Sequence, residues 1–107
     1  MPVVSMMRIA GDPEDLLARM AEHIGPVSDR LAEKHGGLLN VVARDGDDGI
    51  LVVNLWESEE GRQAMAREPE IQEALAAARF PAPAFEGYEV MAVRGGERLA
   101  ALASATA

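Results

Sequence analysis

Residues 50–56 read Ile-Leu-Val-Val-Asn-Leu-Trp, a strand-forming run that is apolar on both of its alternating faces. A strand in an antiparallel sheet with one wet face alternates apolar with polar residues, so this run demands cover on both sides. It follows Asp45-Gly46-Asp47-Asp48-Gly49, a turn composition, which in turn follows a second apolar run from Leu38 to Arg44. Two such runs joined by such a turn predict a hairpin. A turn symmetric about Asp47 sets Leu38 opposite Trp56, Leu39 opposite Leu55, Asn40 opposite Asn54, Val41 opposite Val53 and Val42 opposite Val52. One face of the hairpin is then purely aliphatic, and the other carries Asn40, Asn54 and Trp56.

The rest of the 107 residues arranges itself around that hairpin. Residues 2–9 read as a strand, after which Asp12-Pro13 supplies a helix N-cap followed by proline at the first helical position. Leu16, Leu17, Met20, Ile24, Val27 and Leu31 recur at spacings of three and four, with charged residues opposite, which predicts one amphipathic helix up to Gly36-Gly37. Pro26 removes one backbone hydrogen bond inside it and predicts a kink. Ser58 caps a second helix that begins with Glu59 and Glu60 and restarts at Pro69, with Ile71, Leu75 and Ala78 along its apolar side. Pro81 and Pro83 end helical structure, and Glu86 to Arg94 alternates as a last strand that Gly95-Gly96 closes. Residues 1–95 thus form one domain, and the Ala-rich stretch 96–107 reads as a frayed or disordered tail. Strand, helix, strand, strand, helix, strand is an α+β, ferredoxin-like βαββαβ order: a four-stranded antiparallel sheet with both helices on one face. The chain holds no third layer for the other face. A second copy, sheet against sheet about a two-fold axis, is the economical cover, so a homodimer is expected.

Ten Lys and Arg against 18 Asp and Glu give a net charge of −8, with no basic stripe, which argues against nucleic acid and against anionic membrane surfaces as partners. No apolar run approaches the roughly 18 residues of a membrane span, and a cytoplasmic location is the default expectation. Without cysteine, and with only His23 and His35, neither a thiolate site nor a histidine-rich metal site is expected. The turn 45–49 lacks calcium-loop ligand spacing.

The stretch Leu51-Val52-Val53-Asn54-Leu55-Trp56-Glu57-Ser58-Glu59-Glu60, an apolar strand ending in Trp-Glu-Ser and opening directly into a helix, together with the element order over residues 2–94, resembles the dimeric α/β-barrel superfamily. Within it, the chain is similar to the antibiotic-biosynthesis-monooxygenase-like domains. The resemblance implies two ferredoxin-like sheets packed as a dimeric α/β barrel. It further implies monooxygenation of a small aromatic or polyketide-like substrate in an apolar pocket, with no cofactor and no metal. Haem-degrading relatives place a histidine ligand on the second helix, whereas both histidines here fall in the first. The same scaffold also carries non-catalytic small-molecule-binding or interaction dimers, and lyases or isomerases.

Asn54 and Trp56 lie two apart on a strand and so share a face, and the hairpin register brings Asn40 beside Asn54. Carboxamides on an otherwise apolar face must be hydrogen-bonded or hydrated, and in a cavity they hold a phenol or its enolate. The plainer reading is that the two amides bond each other and fix the register, and that Trp56 is core. His23 lies at the margin of the helical apolar stripe, within reach of a cavity, and imidazole is suited to removing a phenolic proton; an edge-of-core role is its plainer reading. Tyr88 and Arg94 share a strand parity and are candidates to contact a substrate oxygen, against simple capping of the sheet edge. The expected set is therefore His23, Asn54 and Trp56 as catalytic groups, with Asn40, Tyr88 and Arg94 binding substrate.

Overall fold

The computed structural model describes residues 1–99 and Leu102. Four strands, β1 (Val3–Ala10), β2 (Gly37–Arg44), β3 (Gly49–Trp56) and β4 (Ala84–Glu89), form one antiparallel sheet in the order β2-β3-β1-β4. The helices are α1 (Pro13–Arg19), α2 (Gly25–His35), α3 (Glu59–Ala66) and α4 (Pro69–Ala78). This is the ferredoxin-like arrangement expected from the element order.

Helix starts follow their capping chemistry. Asp12 accepts from the Asp15 N–H at 2.9 Å and Ser58 from the Gly61 N–H at 3.1 Å, and Pro69 opens α4. Gly36, at φ 81°, turns the chain out of α2 and into β2. Gly61 admits a close approach: a Cβ there would sit 2.1 Å from the His35 carbonyl oxygen, so only glycine lets the end of α2 abut the start of α3.

Helices α1 to α4 pack on one sheet face, in two apolar clusters. Ile9, Ile50 and Val52 meet Leu16, with Met7, Val42, Met20 and Phe80 around them. Trp56 meets Leu31, Met65 and Ile71, with Val3, Ile24 and Val27 around them. On the other face, Val4, Met6, Leu39, Val41, Leu51, Val53 and Leu55 belong to neither of these clusters, and none of α1 to α4 packs over them.

Three details differ from the sequence expectations. The first helical stretch is not one continuous α-helix: it widens into a π-helical segment over Met20–Ile24, in which the Gly25 N–H donates to the Met20 carbonyl five residues back, and α2 starts just before Pro26. The hairpin register holds from Leu39 to Arg44, but Gly37 rather than Leu38 stands opposite Trp56, because a bulge at Leu38 breaks the ladder. The last strand covers 84–89 rather than 86–94. Its partner β1 begins at Val3, so after the Val90 N–H bonds the Pro2 carbonyl no strand edge is left to pair with. Arg94 therefore stands off the sheet and does not share a strand with Tyr88. Of the tail expectation for 96–107, residues 100–101 and 103–107 lie outside the described residues.

Candidate functional site

Between the two apolar clusters, a polar row crosses the helix-facing side of the sheet. Asn40, Asn54, Ser5 and Gly87 occupy matching register positions on β2, β3, β1 and β4. The even positions of β3 place Asn54 on the same face as Val52 and Trp56, so an otherwise apolar surface is interrupted at one level. Asn40 Nδ2 donates to Asn54 Oδ1 at 2.6 Å. The plainer reading of the pair is thus realised in part, since the two amides do bond each other. The Nδ2 donors of Asn54 have no partner among the described residues.

Trp56 lies two residues further along β3 and is 7% exposed. Its ring packs in the second cluster, as a core tryptophan does, yet its buried Nε1–H has no hydrogen-bond partner among the described residues. Leaving a buried donor unmade is costly, and such groups mark places where a further acceptor fits.

The π segment runs from Met20, in the first cluster, to Ile24, in the second, and so crosses the level of the polar row. It carries His23, whose side chain is 31% exposed and whose Nε2 lies 3.7 Å from Glu22 Oε2. No hydrogen bond joins His23 to either asparagine. Arg19 fixes the start of this segment. Its Nη1 donates to the Ala78 and Arg79 carbonyls at 2.8 and 3.0 Å, closing the C-terminus of α4, and its guanidinium stands 5.5 Å from the Phe80 ring centre.

The other expected residues lie apart from this row. Tyr88 belongs to the opposite sheet face, opposite Val4, and is 53% exposed. Its hydroxyl donates to the Glu86 carboxylate, which holds the phenol above its ordinary pKa. Arg94 is exposed beyond β4. Phe85 stacks under Arg62 at 4.8 Å. His35, given no chemical role, is paired with Glu68: its Nε2 is 2.7 Å from Oε1, and Lys34 Nζ reaches the same oxygen at 3.1 Å. His35, then Lys34, hold the Glu68 carboxyl below the usual carboxylate range. Ser5 is the residue that sequence reading missed. A lone hydroxyl amid Val3, Val4, Met6 and Met7 was the available signal, but its place beside Asn54 depends on a pairing between β1 and β3 that no local pattern encodes.

Among the described residues, no group of three or more His, Asp or Glu is placed to hold a metal ion. What the arrangement offers is neutral hydrogen-bond donors on Asn54 and Trp56, two residues apart on one strand face and without partners among the described residues. Such a set stabilises a delocalised oxyanion better than a localised double charge.

The same fold occurs in solved structures named as antibiotic biosynthesis monooxygenases. No family model and no curated protein matches the sequence. Among solved structures, the chain is similar to SnoaB, a cofactor-independent oxygenase from Streptomyces nogalater, at 14% identity and a TM-score of 0.68, covering 86% of this chain and 95% of that one. It is also similar to a proposed antibiotic biosynthesis monooxygenase from Chloroflexus aurantiacus, at 22% identity and a TM-score of 0.65 over 89% of this chain and 98% of that one. A third is Rv0793 from Mycobacterium tuberculosis, at 13% identity and a TM-score of 0.67 over 89% and 100%.

Proposed function

We propose that the protein is a homodimeric, cofactor-independent monooxygenase that oxidises a small aromatic or polyketide-like phenol or enol between its helices and its sheet. The observation that carries this reading is the donor pair of Asn54 and Trp56, free of other partners and bounded by two apolar clusters. His23, on the π segment above, takes the phenolic or enolic proton. The Asn54 and Trp56 N–H groups hold the oxygen that becomes negative, and Asn40 keeps the Asn54 amide turned to do so. The electron-rich anion gives its electrons to dioxygen, a carbon–oxygen bond forms, and the hydroperoxide loses water to leave a carbonyl. Apolar walls favour this step, since they exclude the water that would stabilise the anion without reaction. The similarity to an oxygenase named as cofactor-independent supports the same reading.

The homodimer rests on the uncovered aliphatic face, because contiguous apolar patches of this kind mark contact surfaces and identical chains close most simply about a two-fold axis. A cytoplasmic location completes the proposal. Among the described residues no helix is long and apolar enough to cross a membrane.

The test is dioxygen uptake with anthrone and quinol substrates, measured above their spontaneous oxidation. Turnover by the parent protein that falls in Asn54→Ala and in His23→Ala is the expected result. A parent rate equal to the spontaneous one for every such compound overturns the oxygenase reading, and product formation without oxygen turns it into a lyase or isomerase. The Asn40–Asn54 bond favours a second reading, a binding domain without turnover, because it uses part of the polar row to fix strand register. Calorimetric binding without oxygen uptake distinguishes it.

A further inference from the structure

The polar row ends differently at its two sheet edges. On β2, Asn40 is bonded to Asn54 across 2.6 Å. On β4 the row ends at Gly87, which has no side chain and lies in a strand exposed at every position. Ser5, between Asn54 and Gly87, is nevertheless only 3% exposed. A Cβ added at Gly87 would meet only the Phe85 ring among the described residues, at 3.6 Å, so that ring leans along β4 over the glycine. Phe85 and Gly87 are two apart and share the helix-facing side of the sheet.

The ring is held there from α3. The Arg62 guanidinium stacks on it, 4.8 Å from the ring centre, and Arg62 is itself fixed by Glu59, whose carboxylate oxygens accept from its Nε at 2.9 and 3.1 Å. The two partners differ in freedom. Arg62 is tied to its own helix, whereas Phe85 belongs to an edge strand, is 48% exposed, and makes with Arg62 a cation–π contact of the weak, solvent-exposed kind. Exposed side chains change rotamer within nanoseconds, so the ring is the part that moves.

We infer that Phe85 is a gate at the β4 edge, and that small molecules reach the polar row over Gly87 when the ring swings off Arg62. The inference rests on the proposed site and assigns it an entrance. Passage then accounts for glycine at position 87, because any side chain there stands in the path, on the face that Ser5 and Asn54 share.

The test is acrylamide quenching of the fluorescence of Trp56, the one tryptophan in the chain and two residues from Asn54 on the same strand face. A gate scales the bimolecular quenching constant by the fraction of time it is open. An exposed cation–π contact holds a ring closed over open by a few to one, so Phe85→Ala is expected to raise the constant about threefold to sixfold. Arg62→Gln, which keeps the ring and removes its clamp, is expected to raise it less, and Gly87→Leu to lower it below the parent value. Tyr88→Ala removes a ring of similar exposure from the opposite face of the same strand and is expected to change nothing. A parent value in both Phe85→Ala and Arg62→Gln overturns the gate, as does an equal rise in Tyr88→Ala, which marks a loosened strand. Quenching needs neither oxygen nor turnover. A gate that Trp56 detects therefore stands when every oxygenation assay fails, and an oxygenase whose Trp56 ignores Phe85 loses only the gate.

Discussion

Asn40 Nδ2 donates to Asn54 Oδ1 across 2.6 Å, joining two residues that stand directly opposite each other on β2 and β3. The bond consumes the acceptor of Asn54 and leaves its donors. Asn40 belongs to an edge strand and is exposed, whereas Asn54 lies on an inner strand between the two apolar clusters. The two amides therefore play different parts, Asn40 setting the orientation and Asn54 presenting the N–H groups.

That difference is measurable. Asn54→Ala is expected to lower kcat/KM for an anthrone-type substrate by about 10²-fold, the effect of removing one preorganised donor to a developing oxyanion. Asn40→Ala leaves the donor in place but free to turn, and its loss is expected to be several-fold smaller. Steady-state oxygen uptake gives both numbers. Equal losses in the two variants contradict this division between orienting and donating amides.

Trp56 combines packing with an unmade donor, and two substitutions separate them. Trp56→Ala empties part of the second cluster, where Leu31, Met65 and Ile71 meet the ring, and is expected to destabilise the fold by about 3–5 kcal/mol in urea unfolding. Trp56→Phe keeps most of the ring contacts and removes a buried N–H that has no protein partner. It is expected to cost much less stability and to weaken ligand binding. A phenylalanine variant that binds and turns over like the parent removes Trp56 from the site and leaves it as core.

The hairpin was legible because its information is local: a turn centred on Asp47 and two apolar runs set Asn40 opposite Asn54 without knowledge of the rest of the chain. What escaped the sequence depends on distant partners or on a coincidence of spacing. The end of β4 is set by where β1 begins, so the alternation up to Arg94 overstated the strand. Ser5 joined the polar row only through the pairing of β1 with β3. Met20 and Ile24 are four apart, a spacing that an α-helix and a wider π turn both satisfy, so the periodicity hid the change of helix type. Parity counting put Tyr88 with Arg94 but could not say which face that parity would take, and Tyr88 went to the face opposite Asn54.

The aliphatic face yields a prediction about assembly. Val41 and Val53 pair across β2 and β3 on the side without helices, and Val41 is 43% exposed. Light scattering is expected to give the parent protein a solution mass twice that of the chain. Val41→Asp with Val53→Asp places two carboxylates on that face and is expected to give monomers, because burying an unpaired charge opposes association. A parent protein that runs as a monomer at micromolar concentration contradicts the assembly.

Glu68 makes stability depend on pH at the junction of α2 and α4. Its carboxyl is held below its ordinary value by His35 first and Lys34 second. A carboxyl with a depressed folded-state pKa stabilises the fold above its unfolded value of about 4.3, and that contribution fades as pH falls through the lower folded value. Glu68→Gln is therefore expected to melt below the parent at neutral pH and to converge with it as the pH falls through the acid range where the parent's carboxyl takes up its proton. A constant difference across that range assigns the effect to lost packing instead.

Arg19 ties the start of the π segment to the C-terminus of α4, the helix packed against it. Its guanidinium closes the Ala78 and Arg79 carbonyls at 2.8 and 3.0 Å and pairs with Asp15 at 3.1 Å, so the residue just before Met20 is tied to the C-terminus of α4. Arg19→Leu keeps much of the apolar stem and removes both carbonyl bonds, a hydrogen bond to a charged group being worth about 1.5–3 kcal/mol. The expected result is a loss of stability and a proportionally larger loss of turnover, since His23 rides on the segment that is released. Lysine at this position supplies a charge but no planar fork, so Arg19→Lys should recover stability more fully than turnover. If both variants lose stability and turnover in proportion, Arg19 acts only as a helix cap, and the π segment is held over the amide row by its Met20 and Ile24 contacts alone.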